Sequence, residues 1–454
     1  MTQERAGDVV PLRTAVRAWF LISLQTFGGP AGQIAVMQRT LVEEKRWLGQ
    51  QRFLHALNFC MLLPGPEAQQ LAIYTGWLLN GLRGGLVAGT LFVLPGMVAL
   101  LVLSALYVAF GDTTVLSGLF LGLGAAVVAI VVQAVLRVSR RALTRPALVL
   151  LAAAAFVALT LLAVPFPLVV SLAGVAGWVI GRYRPAPPPR PPAAVDDGPP
   201  PLVGDDHLHS DPPSLRRMSA VLGVGLLAWS VPLVAVGVVL GWDSIFVDQG
   251  LFFSGAALVT FGGAYAVLAY VAQQAVSVYG WLLPGEMVTG LALAETTPGP
   301  LIMVVQFVAF VGAYRDPGGL DPWVAAVVAA LLTTWVTFVP CFLFVLLGAP
   351  YVERLRSNRS LSAALTGITA AVVGVIANLA LYFTLHTLFA ATDRRTWGLL
   401  GLEVPVWGSL QLPALAVAVL AGLLVFAARW STLRTLGACA LAGVALQLVL
   451  AAAG

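Results

Sequence analysis

The sequence predicts an all-α polytopic membrane protein of two inverted homologous halves, with broken or re-entrant helices at its Phe-Gly-Gly and Pro-Gly-Pro motifs. Three observations carry this. Hydrophobic residues make up 59% of the 454 and charged residues only 10%, with a mean hydropathy of +0.92. A soluble domain carries about 25% charged residues, so most of this chain must face lipid or other helices. Thr26-Phe27-Gly28-Gly29, Trp47 and Pro64-Gly65-Pro66 recur as Thr260-Phe261-Gly262-Gly263, Trp281 and Pro298-Gly299-Pro300, every match at an offset of 234 residues. A polar, proline-rich stretch separates the two copies.

Between 26–66 and 260–300, 12 of 41 positions are identical without a gap. Matching Ala, Val and Leu mean little in so apolar a chain. Matching Gly and Pro mean more, because those residues fix backbone shape. The duplicated feature is thus a set of helix breaks in apolar sequence, and secondary transporters bind substrates at such breaks.

In chain order, apolar segments fall at 14–36, 53–80, 84–110, 114–136, 147–163, 165–181, 218–241, 247–275, 287–313, 323–349, 360–390, 408–428 and 433–453. A crossing needs about 20 such residues. Residues 182–217 hold Pro187-Pro188-Pro189, Pro191-Pro192 and Pro199-Pro200-Pro201, with Asp196, Asp197, Asp205, Asp206 and Asp211. This is a polyproline or disordered linker between a half at 1–181 and a half at 218–454. His207 and His209 within it read as solvated side chains ahead of a metal site. Cys60, Cys341 and Cys439 are scattered in apolar segments, without a disulfide framework or metal spacing. Met1 to Pro11 is polar and lacks the apolar core of a signal peptide. The +5 net charge does not argue for nucleic acid, because the arginines sit at segment ends.

Those arginines set an orientation. Arg137, Arg140, Arg141, Arg145, Arg182, Arg184, Arg216, Arg217, Arg354, Arg356, Arg359, Arg429 and Arg434 all become cytoplasmic if the N-terminus is, while the opposite loops carry Asp112, Asp243, Asp248, Asp316 and Asp321. Simple crossings would strand Arg39, Lys45, Arg46 and Arg52 outside. The conflict vanishes if 14–36 and 53–80 are re-entrant hairpins turning at Gly28-Gly29-Pro30 and Pro64-Gly65-Pro66. Loop 37–52 and Arg83 are then cytoplasmic. The duplicate hairpins at 247–279 and 287–313 enter from the other face, and their loop, Val276 to Glu286, carries no basic residue. An odd number of segments separates the copies, which inverts one against the other.

A Pro-Gly-Pro at membrane depth removes N–H donors and breaks the i→i−4 ladder. Such backbone survives only packed in protein or lining a wet cavity. New half-helices should begin at Ala31, Glu67, Ala264 and Leu301. Each N-terminus offers free N–H groups and roughly half a positive charge, an anion site without a side-chain cation. Polar side chains cluster there: Gln25, Thr26, Gln33, Asn58, Glu67, Gln69 and Gln70 in one copy, and Thr260, Tyr265, Glu295, Thr296, Thr297 and Gln306 in the other. Hydroxyls and amides can donate to oxyanion oxygens. Of the two carboxyls, Glu67 follows its break and suits the role of cap. Glu295 precedes its break, at the negative end of a half-helix, and suits a proton carrier. Arg39 and Arg83 read as cytoplasmic anchors, and Trp47 and Trp281 as interface-belt residues.

Phe27-Gly28-Gly29-Pro30, Trp47-Leu48 and Leu63-Pro64-Gly65-Pro66-Glu67-Ala68-Gln69-Gln70-Leu71-Ala72 resemble the N-terminal signature of the chromate transporter (CHR) family. Gly290-Leu291-Ala292-Leu293-Ala294-Glu295-Thr296-Thr297-Pro298-Gly299-Pro300-Leu301 resembles its C-terminal counterpart. The resemblance covers nearly the whole chain and matches the long, two-domain type. It implies a secondary transporter for chromate efflux across a bacterial inner membrane, with N-terminus and linker cytoplasmic and no cofactor. Sulfate or another tetrahedral oxyanion is the first rival cargo, and a channel or membrane sensor the rival class. A homodimer stays open. HExxH, Walker A and acid-rich prenyl-transfer motifs are missing, as is GxSxG with plausible partners, which speaks against an enzyme.

Overall fold

The computed structural model describes residues 9–111, 113–183, 200–204, 214–261, 263–351, 358–398 and 400–453. Most of the linker, with His207 and His209, lies outside these, as does Gly262. The first half comprises α1 (Leu12–Ser23), α2 (Gly29–Gln38) with a π-helical turn at Arg39–Glu44, α3 (Gln50–Cys60), α4 (Glu67–Phe110), α5 (Thr114–Ala142), α6 (Pro146–Thr160) and α7 (Phe166–Tyr183). After α8 (Leu215–Leu240) the series repeats. It runs α9 (Ile245–Val259), α10 (Ala264–Gln273) with a π-turn at Gln274–Val278, α11 (Glu286–Thr296), α12 (Val304–Arg315) behind a 3-10 turn at Leu301–Met303, and α13 (Pro322–Gly348). Next come α14 (Arg359–Leu388), α15 (Leu412–Gly422) with a π-turn at Leu423–Ala427, and α16 (Thr432–Ala453). Among the described residues, seven helices are long and apolar enough to cross a membrane: α4, α5, α7, α8, α13, α14 and α16.

The sequence places the boundaries for local reasons. Pro146 and Pro322 open their helices at the position where a missing N–H costs nothing. The Asp321 carboxylate accepts from Trp323 and Val324 N–H at 3.0 and 3.2 Å, capping α13. α4 is two helices fused at Asn80 and Gly81, where Gly81 takes a φ of +59°. Asn80 there donates to the Val10 carbonyl and Val9 N–H to Leu79 O.

These bonds hold the start of α1 against the end of the first α4 segment. The rings of Phe59 and Tyr74 lie 5.2 Å apart, so α3 and α4 fold back across Pro64-Gly65-Pro66. Both early segments are therefore hairpins that return to the end from which they set out. At that end, loop residues Arg46, Trp47 and Gly49 exchange three hydrogen bonds with Leu202 and Val203 of the linker. Arg217 and Met218 of α8, Leu346 of α13 and Pro350 just beyond it line one shared cleft there with Trp77 and Leu82.

The second half turns over in the same manner at the opposite end. Phe252 of α9 reaches Tyr270, Tyr279 and Trp281 at 5.4–5.6 Å, and Glu286 of α11 pairs with Arg315 of α12 at 2.7 Å. Tyr107, near the end of α4, donates to Glu286 at 2.7 Å and fixes which end this is.

Each half's last helix packs on the other half. Gly177 and Gly181 of α7 meet Ala363 and Gly367 of α14, while Gly118 and Gly122 of α5 meet Cys439 and Gly443 of α16. A Cβ on Gly177 would fall 2.6 Å from Gly367 Cα, so only glycine permits the approach. Small residues four apart are the usual device for close helix packing in lipid. α8 is exposed along nearly its whole length, as a lipid-facing helix is.

One expectation needs correction. Trp47 and Trp281 are 7% and 5% exposed and pack inside the bundle, where Trp281 stacks on Tyr279 at 4.2 Å, so they are not belt residues. The fold also holds an antiparallel hairpin, β1 (Thr392–Trp397) with β2 (Leu400–Pro405), between α14 and α15. β1 is polar and β2 largely apolar, and Gly401 N–H of β2 reaches Leu161 O at 2.8 Å.

Candidate functional site

Four breaks, two from each half, meet in the middle of the bundle. Each turns on a glycine of positive φ: +78° and +73° at Gly28 and Gly29, +121° at Gly65, +106° at Gly263 and +106° at Gly299. Gly65 N–H donates to Thr260 O at 2.7 Å, and Gly299 N–H donates to Thr26 O at 3.0 Å. The two bonds are the same bond displaced by 234 residues at both donor and acceptor. Each Pro-Gly-Pro therefore ties itself to the Thr-Phe-Gly-Gly of the other half.

The two pairs are adjacent. The Tyr265 hydroxyl stands 3.9 Å from where a Cβ on Gly29 would sit, and it donates to Glu295. Gln33 donates its amide to Gly299 O. Pro298 O lies against Gly96 of α4, where a Cβ would come within 2.3 Å of it.

The half-helices begin at Gly29, Glu67, Ala264 and Leu301, so three of four expected starts hold and the first lies two residues earlier. The expected donors are mostly engaged, which revises the reading from sequence. The N–H groups of Gly65 and Gly299 are spent on Thr260 and Thr26. Gln70 donates to Pro64 O at 2.6 Å, closing its own break. The hydroxyls of Thr26, Thr260, Thr296 and Thr297 donate to Ser23, Ala256, Leu293 and Ala294 carbonyls at 2.7–2.9 Å. The physical reason is the demand that every backbone group at membrane depth be satisfied within the protein. Broken helices shed carbonyls, and the nearest amides and hydroxyls take them up.

Other donors are left over. The first-turn N–H groups of α4, from Glu67, Ala68 and Gln69, have no carbonyl within the helix to bond. Gln69 is fully buried with neither amide atom partnered. Glu67 stands in this first turn, and its carboxylate forms no hydrogen bond among the described residues; it meets the helix dipole without capping an N–H. Glu295 is 2% exposed at the last turn of α11, with Tyr265 on Oε1 and nothing on Oε2.

Sequence reasoning passed over two features. Thr333, Thr334 and Thr337 of α13 are buried on the helix whose Cys341 reaches Gly65; an apolar helix gives no signal that separates such threonines from packing residues. The second is the clasp at the opposite end. Arg315 makes two bonds of 2.7 Å to Glu286, which also accepts from Tyr107 and from Leu283 N–H. Burial pushes the Glu286 carboxyl up, but these four donors together hold it below the usual carboxylate range. A lone arginine in a loop region otherwise rich in aspartate was the available signal. The cleft beside it is lined by Asp243, Asp248 and Asp316.

Among the described residues no cluster of His, Cys, Asp and Glu could hold a metal. A cleft of about 670 Å³ opens at the opposite end between α5, α11 and α14, lined by Ser117, Thr289, Thr387 and Gln447. It stops short of the breaks.

Comparison with known proteins bears on the whole chain. A family model described as "Chromate transporter" matches residues 14–178 and 247–444. A "Chromate transport protein" of Pseudomonas aeruginosa is 33% identical over 359 residues, covering 78% of this chain and 76% of its own length. One of Cupriavidus metallidurans is 29% identical over 367 residues, covering 80% of each. A "Probable chromate transport protein" of Synechococcus elongatus is 27% identical over 351 residues, 77% of this chain and 79% of that one. No solved structure matches.

Proposed function

The chain belongs to the chromate transporter family, and from that premise we propose that it exports chromate across a bacterial inner membrane and confers chromate resistance. It works as a secondary carrier without cofactor or catalytic chemistry. The observation that carries this reading is the crossed pair Gly65–Thr260 and Gly299–Thr26, which gathers four half-helix starts at one place. Their summed partial positive charge attracts an oxyanion that no side-chain cation would hold too tightly to release.

Orientation follows from charge. The end with loop 45–49 and the linker carries Lys45, Arg46, Arg52, Arg83, Arg216 and Arg217 and is the cytoplasmic one. The first half's hairpins enter from this side and the second half's from the other, so the halves are inverted. Rocking one half against the other about the crossed bonds would expose the breaks to each side in turn.

Direction follows from energetics. An inside-negative potential is worth about 2.3 kcal/mol per charge per 100 mV, so an exiting dianion gains about twice that and needs no obligatory coupling ion. Sulfate has the same shape and charge, and the breaks alone do not separate the two. The test is chromate accumulation in cells that lack an exporter of their own. Expression of the chain should lower it and restore growth on chromate. Raised accumulation would mean uptake and overturn the assignment of direction.

A further inference from the structure

The helix α13 passes through the centre with an unusual polar stripe. Thr333, Thr337 and Cys341 are spaced four apart and so share one face. Cys341 marks where that face points: its sulfur lies 2.8 Å from the position of a Cβ on Gly65, at the tip of the first Pro-Gly-Pro. Gln70 holds the other side of Gly65, with its amide nitrogen 2.9 Å from the same position.

Thr333 and Thr337 are 0% and 1% exposed, and neither hydroxyl has a hydrogen-bond partner. Thr435 of α16 is also buried and unpartnered, but it stands alone on another helix, and other buried threonines behave differently. Thr75, Thr260 and Thr334 each donate to the carbonyl four residues earlier at 2.6–2.8 Å. That bond is available to any helical threonine at no cost in geometry. Leaving a buried hydroxyl without it is destabilising, so an unexplained one calls for a reason. Gln69, one residue before the glutamine that flanks Gly65, is in the same condition at both amide atoms.

We propose that Thr333 and Thr337 of α13, with the Gln69 amide, are side-chain ligands of the transported tetrahedral oxyanion, completing a site whose backbone share comes from the first turn of α4. This rests on the reading of the chain as an oxyanion carrier. Hydroxyls and a primary amide suit the cargo: they donate to oxyanion oxygens, add no charge, and can return to helix carbonyls when the ion leaves. Because the two threonines belong to α13 of the second half and Gln69 to α4 of the first, the ion bridges the halves.

The test is equilibrium binding of chromate and of sulfate to the purified protein, with thermal unfolding measured alongside. Thr333→Val and Thr337→Val keep the shape and delete the hydroxyl. Each should weaken anion binding about tenfold or more, the factor carried by a hydrogen bond to a charged group. Each should also leave the melting temperature equal or higher, since an unpartnered buried polar group is removed. Thr→Ser at either position should retain binding within a few-fold. Wild-type binding matched by both valine variants would overturn this inference alone. Absence of chromate and sulfate binding in the wild type would overturn the carrier reading with it.

Discussion

The Gly65 N–H donates to the Thr260 carbonyl oxygen at 2.7 Å, and the second copy of the motif repeats the bond in the reverse sense, from Gly299 to Thr26 at 3.0 Å. An exchange in which each partner supplies both donor and acceptor is the mark of a two-fold relation. Here it relates two halves of one chain, and it lies where both halves break their helices. The breaks are therefore built as joints first. Most of the polar side chains that surround them serve backbone carbonyls, and a smaller set, Gln69, Thr333 and Thr337, does not.

The glycines at the joints should resist substitution. Gly299→Ala forces a side chain into φ +106°, a strain of roughly 1–3 kcal/mol. Gly65→Ala adds a clash with Cys341. Both should insert into the membrane yet lose chromate transport, and replacing either Pro-Gly-Pro by three alanines should do the same. Normal resistance at normal expression would reduce the breaks to kinks.

Topology can be read by accessibility. In a background without the native cysteines, a cysteine at position 45 should label from the cytoplasm and one at 283 from outside. Cysteines replacing Leu48 and Val203, which pair as a parallel bridge, should cross-link with mild oxidant. Labelling of position 45 from outside would restore simple crossings and remove the inversion of the halves.

Glu295 and Glu67 should separate in function. Glu295, with one oxygen held by Tyr265 and the other unpartnered, is placed to carry a proton. Glu295→Gln should remove the pH dependence of transport, and Tyr265→Phe should shift it. Glu67→Gln should leave the profile intact and cost less than about 1 kcal/mol through the helix dipole. A pH profile that survives Glu295→Gln and is lost with Glu67→Gln would reverse the assignment.

The clasp at the opposite end should show in stability. Arg315→Ala leaves the buried Glu286 without its ion-pair partner, holding only Tyr107 and the Leu283 N–H. We expect a loss of about 1–3 kcal/mol, below the 3–5 of a fully buried pair because Arg315 is 40% exposed. The Glu286 carboxyl is held below its ordinary value in the folded state. Its stabilisation is thus complete above about pH 4.3 and fades as pH falls through the lower folded value. Melting curves of Glu286→Gln should be flatter than wild type across that acid window. Parallel curves would show that the clasp contributes nothing.

Much of this was legible in the sequence because glycine and proline report backbone shape directly. Gly28, Gly65, Gly263 and Gly299 all turned out to need positive φ, and Arg39 to Arg52 implied the hairpins through charge alone. The crossed partners were not legible, since nothing in Thr26 names Gly299 before the chain is folded. Trp47 was misread for a related reason. A tryptophan beside charged residues looks like a belt residue, yet the hairpin buries it at 7% exposure. The strands at 392–405 lay between apolar segments and passed as a connection. Thr333 and Thr337 are silent in a sequence, because their distinction is a bond they fail to make.

The central claim is that the four joined breaks form a path for a divalent oxyanion driven outward by potential. Flux from liposomes holding purified protein and internal chromate tests it most directly. With an inside-negative potential imposed, chromate exit should accelerate several-fold over the zero-potential rate and should vanish in the Gly65→Ala and Gly299→Ala proteins. Exit that is indifferent to potential and undiminished in both glycine variants would contradict the account.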